Sequence, residues 1–224
     1  MRRIPSALAV AALTLAASCG DSVSPTATAP VAAGPSASQS RGAYGGAAYT
    51  FDISTRGGVY TLGQYLLVVP PRAVCDPTTS TYGPGTWNDP CTAARSPIHV
   101  SATVTTIDGR DYVDFTPDIR FVPSNDPSRW VTIHTLRLAA IGGHGDLRRF
   151  AVLFSAVPGG PVVDESATDS TLATHVNIRT GAVWRRVEHF TGYNVHTGLV
   201  DDCTPGVDDG CYAIGTIIIG GTPQ

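Results

Sequence analysis

Six histidines, His99, His134, His144, His175, His189 and His196, are the side chains of this 224-residue sequence best suited to moving a proton near neutral pH. None sits at the spacing of a metal site, and most fall within alternating strand patterns. His99 and His134 read as strand-face residues. His144, in the loop Gly142-Gly143-His144-Gly145-Asp146, is exposed and free to contact a ligand. No Gly-x-Ser-x-Gly elbow, His-Glu-x-x-His helix or phosphate-cradling loop occurs, so turnover of an external substrate is not expected and no cofactor is implied. Asp201-Asp202 and Asp208-Asp209 could supply hard oxygen ligands to calcium, but their spacing fits no EF-hand. Solvated surface carboxylates are the simpler reading, there and at Asp164-Glu165. Trp130 and Trp184 fall in strand patterns and read as packing residues. Trp87 lies in a loop and is the indole placed to stack on a ligand such as a sugar.

The five cysteines divide by position. Arg2 and Arg3 precede an apolar run from Ile4 to Ala17, too short to span a bilayer and shaped like the leader of an exported protein. The run ends in Leu15-Ala16-Ala17-Ser18-Cys19-Gly20, where small residues before a cysteine suit lipoprotein processing and acylation of the Cys19 thiol. That leaves Cys75, Cys91, Cys203 and Cys211, an even set in a compartment that permits disulfides. Three pairings are possible. The local pairs, Cys75 with Cys91 and Cys203 with Cys211, each close a short Pro/Gly/Asp-rich loop and are the expected ones. Neither pair has the two-residue spacing of a zinc knuckle.

Placing these residues requires strands. Val, Thr, Ile, Gly and Pro are plentiful and helical periods are scarce, which predicts an all-β chain. Arginine is the only basic residue, and 18 acidic residues outnumber 15 basic ones, so nucleic acid is not an expected partner. Residues 1–18 form the leader. Residues 19–47, rich in Ser, Thr, Ala and Pro, cannot bury enough apolar surface to order and read as a tether. The folded part begins at 48, where Tyr49, Phe51 and Ile53 alternate with Thr50 and Asp52. Gln64 to Val69 is an apolar strand stopped by Pro70-Pro71. Cys75 to Pro97 is an excursion around Trp87, not a strand pair. Ile98 to Thr106 and Tyr112 to Phe115 flank an Asp108-Gly109 hairpin turn. Further strands are expected over Trp130 to Leu138, with a bulge, Arg149 to Ala156, Thr174 to Ile178, Ala182 to Glu188 and, last, Tyr212 to Ile219. Strands at this spacing predict an antiparallel β-sandwich over 48–197, followed by a disulfide loop and final strand in 198–224.

Four stretches, taken in order, carry a family resemblance. They are Gly57-Gly58 before a strand, Leu66-Leu67-Val68-Val69-Pro70-Pro71-Arg72-Ala73, Tyr112-Val113-Asp114-Phe115-Thr116-Pro117 leading to Trp130-Val131-Thr132-Ile133, and His189-Phe190-Thr191-Gly192-Tyr193. Together they resemble the ZU-five domain, the β-sandwich of ankyrins and netrin receptors. Arg72 stands where that family usually has Gly, and the Cys75 to Cys91 insertion departs from its pattern. The resemblance implies a fold and a habit of serving as a protein-interaction module. It also implies one reaction. Some members cleave themselves within a His-Phe-Ser motif, matched here by His189-Phe190-Thr191. Thr191 Oγ would attack the Phe190 carbonyl, and His189 would help transfer the proton.

The expected protein is thus held to a membrane through Cys19, with an envelope protein or glycan as partner. Gly20 and Asp21 do not resemble the inner-membrane retention signal, which favours the outer membrane. Self-cleavage, and carbohydrate or calcium binding, are the alternative readings.

Overall fold

The computed structural model describes residues 38–41, 46–107, 110–135, 150–177, 179–190, 196–199 and 217–219. The leader with Cys19, the Cys203 and Cys211 pair, the acidic tail, His144 and Thr191 lie outside these residues. Fifteen strands follow in order: β1 (Ser38–Arg41), β2 (Ala47–Ile53), β3 (Gly58–Leu62), β4 (Tyr65–Val69), β5 (Ile98–Ile107), β6 (Arg110–Thr116), β7 (Ile119–Arg120), β8 (Thr132–Thr135), β9 (Phe150–Ser155), β10 (Val162–Val163), β11 (Thr174–Asn177), β12 (Ala182–Arg186), β13 (His189–Phe190), β14 (His196–Leu199) and β15 (Ile217–Ile219). The all-β class is as the sequence predicts. Among the described residues no helix is long and apolar enough to cross a membrane.

One sheet has seven strands in the order β1-β2-β5-β6-β14-β9-β10, a second has six in the order β15-β11-β12-β8-β4-β3, and β13 pairs with β7. All described pairings are antiparallel except β11 with β15. Alternation decides what each strand buries. Tyr49, Phe51 and Ile53 of β2 and Val100 and Ala102 of β5 share one core with Tyr60 and Leu62 of β3, Leu67 of β4 and Ile133 of β8. Phe51 stacks on Tyr60 at 4.6 Å between ring centres, joining residues of the two sheets. The Tyr60 hydroxyl escapes burial penalty by donating to the Asp52 carbonyl.

Several boundaries have clear causes. Pro70 and Pro71 follow β4 and cannot donate to a ladder. Arg72, next in line, has φ of 56°, the left-handed conformation that glycine adopts most easily, and its amide donates to the Thr55 carbonyl. Gly57 has φ of 73°, and a Cβ there would lie 2.1 Å from the Val69 carbonyl oxygen, so only glycine fits that turn.

One boundary is corrected. Residues 38–41, placed by composition inside the tether, form β1 and pair with Ala47 to Thr50 at the sheet edge. A ladder at an edge is made by backbone groups and needs no apolar side chain, so composition could not reveal it.

The Cys75–Cys91 disulfide is formed, with Cα atoms 5.7 Å apart. It closes a strap of turns whose β-pairing, among the described residues, is limited to isolated bridges at its base, Val74 to Phe121 and Cys75 to Ala93. Arg120 of β7, itself buried, donates from Nη1 to the carbonyl oxygens of Thr86 and Asp89 and clamps the strap from below.

Candidate functional site

Two constellations stand out, one buried and one open. The buried one centres on His189. β13 aligns His189 opposite Arg120, and the strap then folds over both. The His189 ring is 2% exposed and stacks on Trp87 at 3.8 Å with planes 15° apart. Its Nδ1 is 3.2 Å from the Tyr82 hydroxyl, and its Nε2 is 3.4 Å from Glu165 Oε1. Burial pushes the His189 pKa down, against the pull of Glu165. A neutral ring fits these neighbours in one tautomer, assigned from the partners: Tyr82 donates to Nδ1, and Nε2–H points to Glu165, which can only accept. Burial likewise pushes the Tyr82 phenol up, keeping it a donor.

Glu165 extends this chain inward. Its Oε2 accepts from Arg185 Nη2 at 2.8 Å, and Arg185 is 1% exposed. Arg185 Nη1 also donates to the Val152 carbonyl. Beside this pair, Arg186 Nη2 donates to Glu188 Oε1 at 2.9 Å and Nη1 donates to Thr171 Oγ1. Burial raises the Glu188 pKa despite the Arg186 cation. The reading of Asp164-Glu165 as solvated carboxylates is therefore corrected. Asp164 caps a short 3-10 turn by accepting from the Ser166 amide, and Glu165 is drawn in because the buried Arg185 needs a counter-charge.

These distances bear on two residues singled out from the sequence. Trp87 does not offer its ring to a ligand: one face lies on His189 and Tyr82 packs against it at 4.8 Å. Its expected binding role gives way to packing, because the disulfide and Arg120 hold the strap against β13. At Phe190-Thr191, Phe190 is 1% exposed between Phe115 and Phe121. Both ring nitrogens of His189 are engaged, by Tyr82 and by Glu165, while Thr191 lies outside the described residues.

The open constellation lies on the other face of the six-stranded sheet. Inward residues Leu67, Ile133 and Arg185 alternate with Leu66, Val68, Thr132, His134 and Trp184 on the opposite face, where Trp184 itself is only 9% exposed. Register sets Leu66 opposite His134, His134 opposite Trp184, and Trp184 opposite His175, one row across four strands. His175 stacks on Trp184 at 3.8 Å with planes 4° apart. Trp130, just before β8, is fixed at its edge by donation from Nε1 to the Ser124 carbonyl at 2.8 Å. The Arg186 guanidinium stands 5.0 Å from the centre of the Trp130 ring, a cation–π distance. Between these groups runs a groove of about 210 Å³, walled by Val68, Pro70, Pro127, Trp130 and Trp184. Ser128, Thr132 and His134 supply its polar lining. Sequence reasoning took both indoles for packing residues.

His134 and His175 share with His189 a pKa lowered by burial. The sign of the consequence is fixed. Each folded-state value lies below the usual 6.5, so the unfolded chain binds more protons as pH falls through 6.5 and the folded state loses stability. Glu188, with a raised pKa, opposes this as pH falls from its raised folded-state value down to its usual 4.5. Urea midpoints at about pH 7.5 and about pH 5.5 should therefore differ, with the lower pH less stable. Equal midpoints would show that these imidazoles are solvated.

His99 is an exposed strand-face residue whose Nδ1 lies 2.9 Å from Asp52 Oδ1. Compared with known proteins, the chain matches no protein-family model, no curated protein and no solved structure.

Proposed function

We propose that this chain is a lipoprotein of the cell envelope, held in the outer membrane by an acylated Cys19, whose all-β domain is a binding module of ZU-five-like sandwich type. The observation that carries the binding role is the groove beside Trp130 and Trp184. The outward face of a sheet that serves only to cover a core is usually polar, whereas this one carries Leu66, Val68, His134 and Trp184 side by side. The export leader and the cysteine at its end support the location. The disulfide between Cys75 and Cys91 accords with an oxidising compartment.

Nearby, Arg186 is ion-paired with Glu188 and stands 3.7 Å from Asp169, so its charge is taken up within the fold, and binding is the reading we favour.

Growth with radiolabelled palmitate followed by intact mass measurement tests the anchor. The expected result is label on the wild type, none on Cys19→Ala, and one species spanning Phe190-Thr191. An unlabelled wild type would remove the membrane from the account. A pair of fragments meeting at Phe190 and Thr191 would make self-processing the function instead.

A further inference from the structure

We infer that the groove binds one neutral sugar ring of an envelope glycan, an inference that rests on its being the binding surface. The size of the space comes first. Pockets that take drug-sized ligands run from roughly 300 to 1,000 Å³, and this one, at about 210 Å³, suits a single ring. The ligand is neutral because the lining is. Of the groove residues, only His134 titrates near neutral pH, and burial holds it uncharged.

The hydrogen-bonding character of the lining then separates a sugar from a peptide. The Ser128 hydroxyl spends its proton on Asp126 Oδ1, 2.8 Å away. Its oxygen therefore faces a ligand as an acceptor. The Thr132 hydroxyl lies 2.9 Å from His134 Nε2, and whichever of the two donates, the threonine oxygen keeps a lone pair to accept. The Trp130 N–H is already committed to the Ser124 carbonyl, and the Trp184 N–H is buried. A proline-rich segment offers carbonyl acceptors and few backbone donors, so it would satisfy these oxygens poorly. A sugar ring brings hydroxyl donors at its edge and an apolar C–H face. Indole walls suit that face, since a large apolar ring at low entropic cost is what tryptophan supplies. Trp130 is held at its Nε1 by Ser124 and covered by Arg186, so little ordering remains to be done when a ligand arrives.

The experiment uses the full mature protein in detergent, with the indole N–H signals of its three tryptophans as reporters. Chitotetraose, cellotetraose and maltotetraose are titrated in turn, followed by a proline-rich decapeptide. At least one of the sugars is expected to move the Trp130 and Trp184 signals saturably, leaving Trp87, which is packed on His189 within the strap, unmoved. Trp130→Ala should weaken that binding by about tenfold or more. Because Trp130 also packs on Arg186, Ser128→Ala is the second variant: it removes only an exposed hydroxyl and should weaken binding several-fold with the urea midpoint unchanged. If the peptide moves Trp130 and Trp184 while none of the sugars does, the groove is a binding surface and the sugar inference is wrong. If none of the four moves them, the binding reading of the groove falls too.

Discussion

Glu165→Ala should lower the unfolding free energy by about 3–5 kcal/mol, the usual result of leaving a buried charge without its partner. Arg185 is the reason. Its guanidinium is 1% exposed, and Glu165 is the carboxylate 2.8 Å from its Nη2. Arg185 Nε is already buried without a partner among the described residues, so the side chain has no slack to absorb a second loss. The same substitution removes the group facing His189 Nε2, loosening the ring on which Trp87 rests. Two controls separate charge from packing. Glu165→Gln keeps the shape and an acceptor, and should fall between wild type and alanine. Replacing Glu165 and Arg185 together by Leu and Met should cost far less than Glu165→Ala alone, because an apolar pair leaves no stranded charge. Urea denaturation gives all four values. A loss under about 1 kcal/mol for Glu165→Ala would mean that water reaches Arg185 and the pair is a surface pair in effect.

Breaking the Cys75–Cys91 bond is the second large effect. The bond spans a separation of 16 residues, and closing a loop of that size is worth about 3 kcal/mol in the chain-entropy view. Cys75→Ser with Cys91→Ser should therefore lose about 2–4 kcal/mol against denaturant. The optical signal should change as well. Trp87 is pinned by the bond at the strap's base, by Arg120 beneath and by His189 against its face. With the bond gone, its fluorescence should move toward that of a solvated indole, and proteases should cut between residues 76 and 90. An unchanged midpoint with an intact strap would assign the holding to Arg120 and His189 instead.

Which parts of this were legible in the sequence follows from how each part is held. Strands with one buried face announce themselves, as Tyr49, Phe51 and Ile53 do, and so does the two-residue link between Ile107 and Arg110. The Cys75–Cys91 pair was legible because two cysteines close in sequence need only a short loop to meet. β1 was illegible, since Ser-Gln-Ser-Arg has no apolar residue and its pairing is all backbone. β13 was too short to show a period. The Tyr82 contact with His189 spans 107 residues of chain, a distance over which local patterns carry no information.

The arginines were the least legible. Val183-Trp184-Arg185-Arg186 invites the view that both arginines face water, yet strict alternation sends Arg185 into the core with Val183 and leaves Trp184 on the outward face. A signal for the groove did exist. Where apolar residues run on without alternation, as in Leu66-Leu67-Val68 and Val183-Trp184, a strand must carry apolar groups on both faces. Read as period and not as strand strength, those runs point to an outward face that is not made for water.

The order of strands also sets when the domain can be finished. β14, only four residues long and beginning at His196, lies between β6 and β9 in the middle of the seven-stranded sheet, and β15 borders β11 in the other. β9 and β10 can find β6 and the rest of that sheet only through β14, so both sheets wait on strands from the last thirty residues or so of chain. Such late, distant pairings make folding slow. On the proposal that the chain is exported, threading a membrane from its N-terminus, that slowness would be useful. Everything up to Arg186 could emerge while the sheet still lacks an interior strand, and a stable fold would form only once nearly all of the chain is across.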